Sequence, residues 1–221
     1  FYVEDVTSSS FLNRPAEWRI IARDAHNGLQ LWDRKLDSWF SYLCIWTQSP
    51  EQLQRRLVAV DDRVYVPFGY HAPVSVLDAA TGQSLMSLPE TAGAEEIICH
   101  RGVLLVLVRE VTDARVAQFD SWAQLEKVTD PIVRDRDSLN ALNKEFKRAE
   151  REAKATIVAL DTKSGNVLWQ KAGEEMLGVR RLSLRASGDR VYYVGNKGLF
   201  CLDLASGKTV WQTNTVPVKT V

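Results

Sequence analysis

The stretch VALDTKSGNVLW (Val158–Trp169) decides how this chain is read. A short β-branched and aliphatic run ends at Asp161. Four residues later comes Gly165, and four beyond that a tryptophan. The same phrase recurs as IARDAHNGLQLW (Ile21–Trp32), SVLDAATGQSLM (Ser75–Met86) and FCLDLASGKTVW (Phe200–Trp211). Each reads as strand, tight turn, strand. The glycines Gly28, Gly82, Gly165 and Gly207 can take a positive φ without a Cβ penalty. The acids Asp24, Asp78, Asp161 and Asp203 can accept hydrogen bonds from turn amides. Trp32, Trp169 and Trp211 then stand at one fixed place on the second strand, where an indole can pack one sheet on the next. Met86 takes that place in the second phrase, a flexible filler of the same slot.

Spacing turns the phrase into an architecture. Successive aspartates are 54, 83 and 42 residues apart. With 42 as the bare unit, 12 extra residues lie in the first interval and 41 in the second, and the remainder of the chain is four such units. A period near 40 with four short strands per unit marks a β-propeller blade. The missing strands lie upstream of each phrase. RRLVAVDDRVYVPF (Arg55–Phe68) reads as strand, turn, strand. EEIICHRGVLLVLV (Glu95–Val108) matches it position for position, and RRLSLRASGDRVYYVG (Arg180–Gly195) matches with a longer turn. Blades two to four are thus complete. Blade one shows only its last two strands, with FYVED (Phe1–Asp5) as a stray strand. The fold class is all-β: four-stranded antiparallel blades, about four of them, over residues 1–221, with one helical insertion at about 110–154 inside the third blade.

The totals exclude several classes. The 221 residues carry 28 basic and 28 acidic side chains, so no net field favours nucleic acid. Apolar runs such as Gly102–Val108 are far too short to span a bilayer. The three cysteines, Cys44, Cys99 and Cys201, form neither a disulfide framework nor a C-x-x-C pair. Cys201 fits a small buried core residue. No G-x-S-x-G elbow, P-loop or metal-ligand motif occurs, so neither catalytic nor metal residues are expected. The chain opens on Phe1, as a processed or cut piece would.

The phrase A-x-D-x-x-[TS]-G-x-x-x-W resembles the repeat of PQQ-like β-propellers. The third and fourth copies match closely and the first two with departures. That family includes quinoprotein alcohol dehydrogenases and the propeller lipoprotein of outer-membrane protein assembly. The resemblance implies a segment of a seven- or eight-bladed ring in a larger bacterial protein, in an extracytoplasmic setting. It implies two functions. One is a non-catalytic binding or interaction scaffold, needing no cofactor. The other is part of a quinoprotein dehydrogenase using PQQ with Ca²⁺, whose family enzymes hold the quinone near two adjacent cysteines. This chain has no adjacent cysteines. Expected partners are the remaining blades or domains of the parent, a protein or glycan ligand, or a second copy through exposed terminal blades.

In an up-and-down blade the A–B and C–D turns share one face, and here they are short and regular. All irregular lengths fall on the opposite face. That face is the expected binding face, because loops carry function more often than frames. Its candidates are Trp39 and Trp46 in the aromatic segment 37–52, Tyr70 and His71 in segment 69–73, and Asn196 and Lys197 in segment 195–198. His71 is expected to be solvated; His26 and His100 fall on the regular face. In the insertion, Leu139, Leu142, Phe146, Ala149 and Ala153 make one helical stripe over 137–154, able to lie on the propeller or act as a lid.

Overall fold

The computed structural model describes residues 1–6, 17–37, 55–117 and 152–214, with single positions 120, 140, 141, 144, 145 and 148 between. Every strand is antiparallel to its neighbours. The first sheet holds β1 (Tyr2–Asp5), β2 (Trp18–Arg23) and β3 (Gln30–Lys35). The second runs β4 (Val58–Val60), β5 (Arg63–Pro67), β6 (Val74–Asp78), β7 (Ser84–Leu88). The third runs β8 (Ala94–His100), β9 (Val103–Arg109), β10 (Ala155–Asp161), β11 (Val167–Lys171). The fourth runs β12 (Arg185–Ser187), β13 (Arg190–Gly195), β14 (Gly198–Asp203), β15 (Thr209–Thr213). These are the meanders of propeller blades, in sequence order. Phe1–Asp5 is not a stray strand: Tyr2 pairs with Ile21 and Asp5 with Trp18, so the first blade has three strands among the described residues.

The four turns are built alike. In each, the glycine N–H donates to the aspartate carbonyl, at 2.8 to 2.9 Å. The carboxylate of Asp78 accepts from the Thr81 amide and hydroxyl, that of Asp161 from Ser164, and that of Asp203 from Ser206. Those bonds hold all three carboxyls below the ordinary carboxylate range. In the first turn Asp24 accepts from His26 and Asn27 instead. Gly28, Gly82, Gly165 and Gly207 have φ of 66 to 73°, and the paired strands shift register just before each aspartate or its preceding residue.

The repeated large side chain joins each blade to the next. Trp32 lies on Gly82 and donates its indole N–H to the Ala79 carbonyl at 2.9 Å. Trp169 lies on Gly207 and donates to the Leu204 carbonyl at 2.8 Å. Met86 sits on Gly165 in the same way. Side chains behind these joints form three apolar clusters. One links blades one and two around Ile20, Leu36 and Val64; one links two and three around Val76, Leu104 and Val106; one links three and four around Ile157, Trp169 and Phe200. Cys201 is fully buried. β4 and β12 both approach β8, so these first strands line the inner edge of the arc. Trp211 departs from the expectation of a wedged indole. It is 41% exposed, against 8% for Trp169, and leans on Tyr192 of its own blade at 6.1 Å.

The insertion leaves after Arg109 and returns at Ala155, within the third blade. Residues 113–117 are helical, as are the described positions 140, 141, 144, 145, 148 and 152. Those six positions are exposed, as the polar side of the expected stripe should be, and Ala153 is buried. The stripe residues Leu139, Leu142, Phe146 and Ala149 lie outside the described residues.

A methyl group on Gly207 would come within 2.5 Å of the Trp169 ring, whereas one on Gly28 meets nothing within 4 Å. Both positions carry the left-handed cost of about 1–2 kcal/mol. We therefore expect Gly28→Ala to lose only that amount, and Gly207→Ala about 1–3 kcal/mol more from overpacking. Urea unfolding of the two variants checks the difference.

Candidate functional site

The irregular face is organised around two consecutive acids at the start of β8. Register along β8 and β9 shifts between Ala94 and Glu96, so Glu95 is the extra residue of a β-bulge. In a regular strand neighbouring side chains point to opposite faces, and one of two adjacent acids would meet solvent. Here both are buried, Glu95 at 4% exposure and Glu96 at 1%. EEIICHRG is therefore not a position-for-position copy of RRLVAVDD; the bulge is the difference.

Each acid collects arginines from other elements. Glu95 accepts from Arg109 Nε at the end of β9 and from Arg181 in the segment entering blade four, both at 3.0 Å. Arg115, in helical segment 113–117 at the root of the insertion, stands 3.9 Å away. Burial opposes the charge on Glu95, but Arg181 and Arg109 outweigh it and pull the carboxyl down to about 2. Glu96 pairs with Arg55 from blade two, with Arg185 of β12 at 3.7 Å. Arg55 also donates to the Leu184 carbonyl at 3.1 Å, so one side chain bridges blades two and four. At Glu96 burial prevails over Arg55, and its carboxyl is pushed up. Among the described residues, one carboxylate oxygen of each acid is buried with no donor.

Two of the expected loop residues belong to this arrangement, as part of its wall. Tyr70 is buried: the Arg56 guanidinium lies 5.1 Å from its ring centre, and Arg56 donates to the Tyr70 and Ala94 carbonyls. His71 is not a solvated loop histidine. It stands edge-on to Tyr70 at 4.7 Å, and burial, with Arg115 and Arg56 facing it, lowers its imidazole to about 4. It is therefore neutral at pH 7. Its carbonyl accepts from Gly93, whose own carbonyl accepts from Arg109. Asn196 and Lys197 lie elsewhere on the face, in the β13–β14 turn; Asn196 donates its backbone N–H to Leu177 and Lys197 pairs with Glu174 at 3.7 Å. Trp39 and Trp46 lie outside the described residues. Sequence reasoning does not single out the cluster of Arg55, Glu95, Glu96, Arg109, Arg115, Arg181 and Arg185. A signal for it is present: paired charges RR, EE and RR stand at the start of apolar stretches or just before them, where a solvated face would alternate.

The regular face carries a feature of its own. A cavity of about 440 Å³ lies between blades three and four, lined by Arg101, Val103, Asp189, Arg190, Asp203, Leu204 and Ala205. Its charges pair with each other, Arg101 with Asp189 and Arg190 with Asp203. Nearby, His100 Nε2 donates to the Gly188 carbonyl at 2.8 Å, tying two A–B turns together. His26 stands exposed in its turn.

A family model described as outer membrane protein assembly factor BamB matches residues 16–219. The chain belongs to this PQQ-like propeller family. Several solved structures are similar to it in fold. The quinohemoprotein alcohol dehydrogenase of Comamonas testosteroni shares 14% identity over 90% of this chain and 32% of its own, with a TM-score of 0.47. A quinohemoprotein alcohol dehydrogenase of Pseudomonas putida HK5 shares 16% over 73% of this chain and 20% of its own, at 0.41. The acylaminoacyl peptidase of Pyrococcus horikoshii shares 10% over 90% of this chain and 28% of its own, at 0.48. The chain spans less than a third of each of these structures. No curated protein matches it in sequence.

Removing one partner of a buried ion pair strands the others, at about 3–5 kcal/mol. Glu95→Gln should lose roughly that much at pH 7. Because the folded carboxyl is held at about 2 against an ordinary 4.5, its contribution is complete above pH 4.5 and fades as pH falls through about 2. The stability gap between native and variant protein should therefore narrow on acidification, which urea titrations at pH 7 and pH 3 will show.

Proposed function

We propose that this propeller segment is a non-catalytic binding scaffold within a larger bacterial protein, and that it recognises its partner on the irregular loop face. The observation that supports this reading is the division of labour between the faces. On the regular face the repeated turns and the indoles of Trp32 and Trp169 are committed to joining blades. On the loop face, the insertion root, segment 69–73 and the entry to blade four are held in fixed relation by the buried Glu95 and Glu96 cluster. A rigid frame presenting variable loops is the usual form of a binding surface. The partner would be a protein or a glycan. An assembly factor heads the matching family description, which favours a protein. The setting would be extracytoplasmic, as the family resemblance implies. Among the described residues no helix is long and apolar enough to cross a membrane.

The second reading is part of a PQQ-dependent dehydrogenase. Two features of the described residues count against it. Trp32 and Trp169 have both ring face and N–H engaged between blades, and Cys99 and Cys201 lie in different blades. Among the described residues no three His, Cys, Asp or Glu side chains converge as a metal site would require. Incubating the chain with PQQ and Ca²⁺ discriminates the two. We expect no dye-linked alcohol oxidation. Turnover that depends on both additions would overturn the scaffold reading.

A further inference from the structure

Arginines outnumber acids around the Glu95–Glu96 dipeptide. Arg109, Arg115 and Arg181 gather at Glu95, and Arg55 and Arg185 at Glu96. The pair at Glu96 comes from the blades on either side of it. Arg55 stands ahead of β4 in blade two, Arg185 opens β12 in blade four, and Glu96 lies between them in β8 of blade three. The acid is 1% exposed, but the two arginine side chains keep 27% and 55% of their surface in water.

Both guanidiniums are held by the same nitrogen. Arg55 Nη1 donates to the Glu96 carboxylate and to the Leu184 carbonyl at 3.1 Å. Arg185 Nη1 donates to that Leu184 carbonyl at 2.7 Å and to the Leu182 carbonyl at 2.8 Å, and stands 3.7 Å from the Glu96 carboxylate. Sharing one carbonyl oxygen makes the two cations neighbours. Among the described residues, Nε and Nη2 of each give no hydrogen bond to protein. That edge is the planar fork that meets both oxygens of a carboxylate. Neighbouring like charges repel. The one carboxylate they share is itself opposed by burial. Leu182, in the segment that carries Arg185, adopts φ of 60°, a costly conformation for a branched side chain and one that recurs at binding sites.

We propose that the open forks of Arg55 and Arg185 bind side-chain carboxylates of an acidic segment in a protein partner, at the inner edge of the arc on the loop face. This names the chemistry of the partner and rests on the scaffold reading above. Every residue of the site comes from blades two, three and four, and the outer sides of blades one and four take no part in it. A singly charged carboxylate suits the site better than phosphate, because the buried Glu95 and Glu96 lie behind the forks and oppose a second negative charge. Two forks on a chain of zero net charge make a local contact, not the broad basic field that a nucleic acid requires.

The probe is a fluorescein-labelled hexaglutamate peptide, followed by fluorescence anisotropy at low salt. The wild type should bind it saturably, ignore a hexaglutamine peptide, and lose affinity as salt is added. Arg185→Gln removes the more exposed fork and leaves Glu96 its closer partner, Arg55. It should keep the circular dichroism of the wild type and bind at least about tenfold more weakly. Arg185→Lys keeps the charge without the fork and should bind with intermediate strength. Arg101→Gln, on the regular face, should bind as the wild type does. No saturable binding by the wild type, equal binding of hexaglutamine, or an equal loss in Arg101→Gln would each overturn the proposal. So would wild-type affinity in Arg185→Gln or, if that variant fails to fold, in Arg185→Lys. Inorganic phosphate that displaces the peptide more effectively than acetate at equal ionic strength would overturn it too. Turnover dependent on PQQ and Ca²⁺ would remove the scaffold reading and this proposal with it; without turnover, failure of the peptide removes this proposal alone.

Discussion

A tryptophan ring laid flat on a glycine governs this structure. The contact constrains both partners at once. The seat must lack a Cβ, because one placed there would fall 2.5 to 2.9 Å from the atoms above it. The same residue must adopt a positive φ to close the turn, which glycine does without strain. The knob must be broad enough to cover the turn and polar at one edge to meet a carbonyl that the tight turn leaves pointing outward. Indole satisfies all of these, and Met86 satisfies only the first, as a thioether that drapes over Gly165 without an N–H to give. The joint between blades two and three therefore lacks one hydrogen bond that the other two have. Arg63 supplies a substitute there: its guanidinium reaches across to the Thr162 carbonyl, and the Tyr65 hydroxyl donates to the same atom at 3.3 Å. Carbonyl satisfaction at the joint is thus maintained by a different donor where the sequence departs from the repeat.

The loop face is held by opposite means. Apolar packing fixes the blades, whereas the loops are fixed by charge. Buried ion pairs contribute little net stability, since desolvation cancels much of the attraction. They do enforce geometry, because a stranded partner is costly. Glu95 and Glu96 illustrate the balance in neighbouring residues. The first meets two arginines at 3.0 Å and a third at 3.9 Å, and its carboxyl is held low despite burial; the second has Arg55 alone in close contact, and burial pushes its carboxyl up. The bulge makes this possible by turning two adjacent side chains inward. Its effect is to tie three blades and the insertion root to one dipeptide.

Periodicity makes the frame legible. Strand, turn and knob recur with fixed internal spacing, so the four hairpins, the first strands of blades two to four and the position of the insertion can all be placed from residues alone. Phe1–Asp5 cannot, because a four-residue strand of mixed polarity has no pattern strong enough to distinguish pairing from fraying. The exposure of Trp211 is equally hidden: the motif specifies a knob but says nothing about whether a seat lies opposite. The candidate site is legible only as a face. Tyr70 and His71 stand out in the sequence because they occupy a loop, yet Tyr70 is buried and His71 half-buried edge-on to it. The arginines and glutamates that organise that wall come from positions 55 to 185, and no local pattern links residues 130 apart. Only the β-bulge reveals that both acids point inward, and a single inserted residue is invisible when strands are aligned by apolar content.

Separating the two kinds of interaction has a consequence for how this surface can change. Substitutions on the loop face alter charge pairs that do not touch Ile157, Val106 or Ile20, the centres of the three clusters. Blade packing therefore survives variation in the loops, and the 41 additional residues between β9 and β10 illustrate how far such variation can go without disturbing the register of the strands they separate. The limit is set at the root. Arg109 closes β9 and donates to Glu95 and to the Ala153 carbonyl, so the departing and returning ends of the insertion meet at one guanidinium. Arg115 adds the next turn by donating to the Arg109 and Glu110 carbonyls. Whatever the insertion does beyond that point, its two ends are joined through Arg109 to the same carboxylate that holds Arg181 at the entry to blade four.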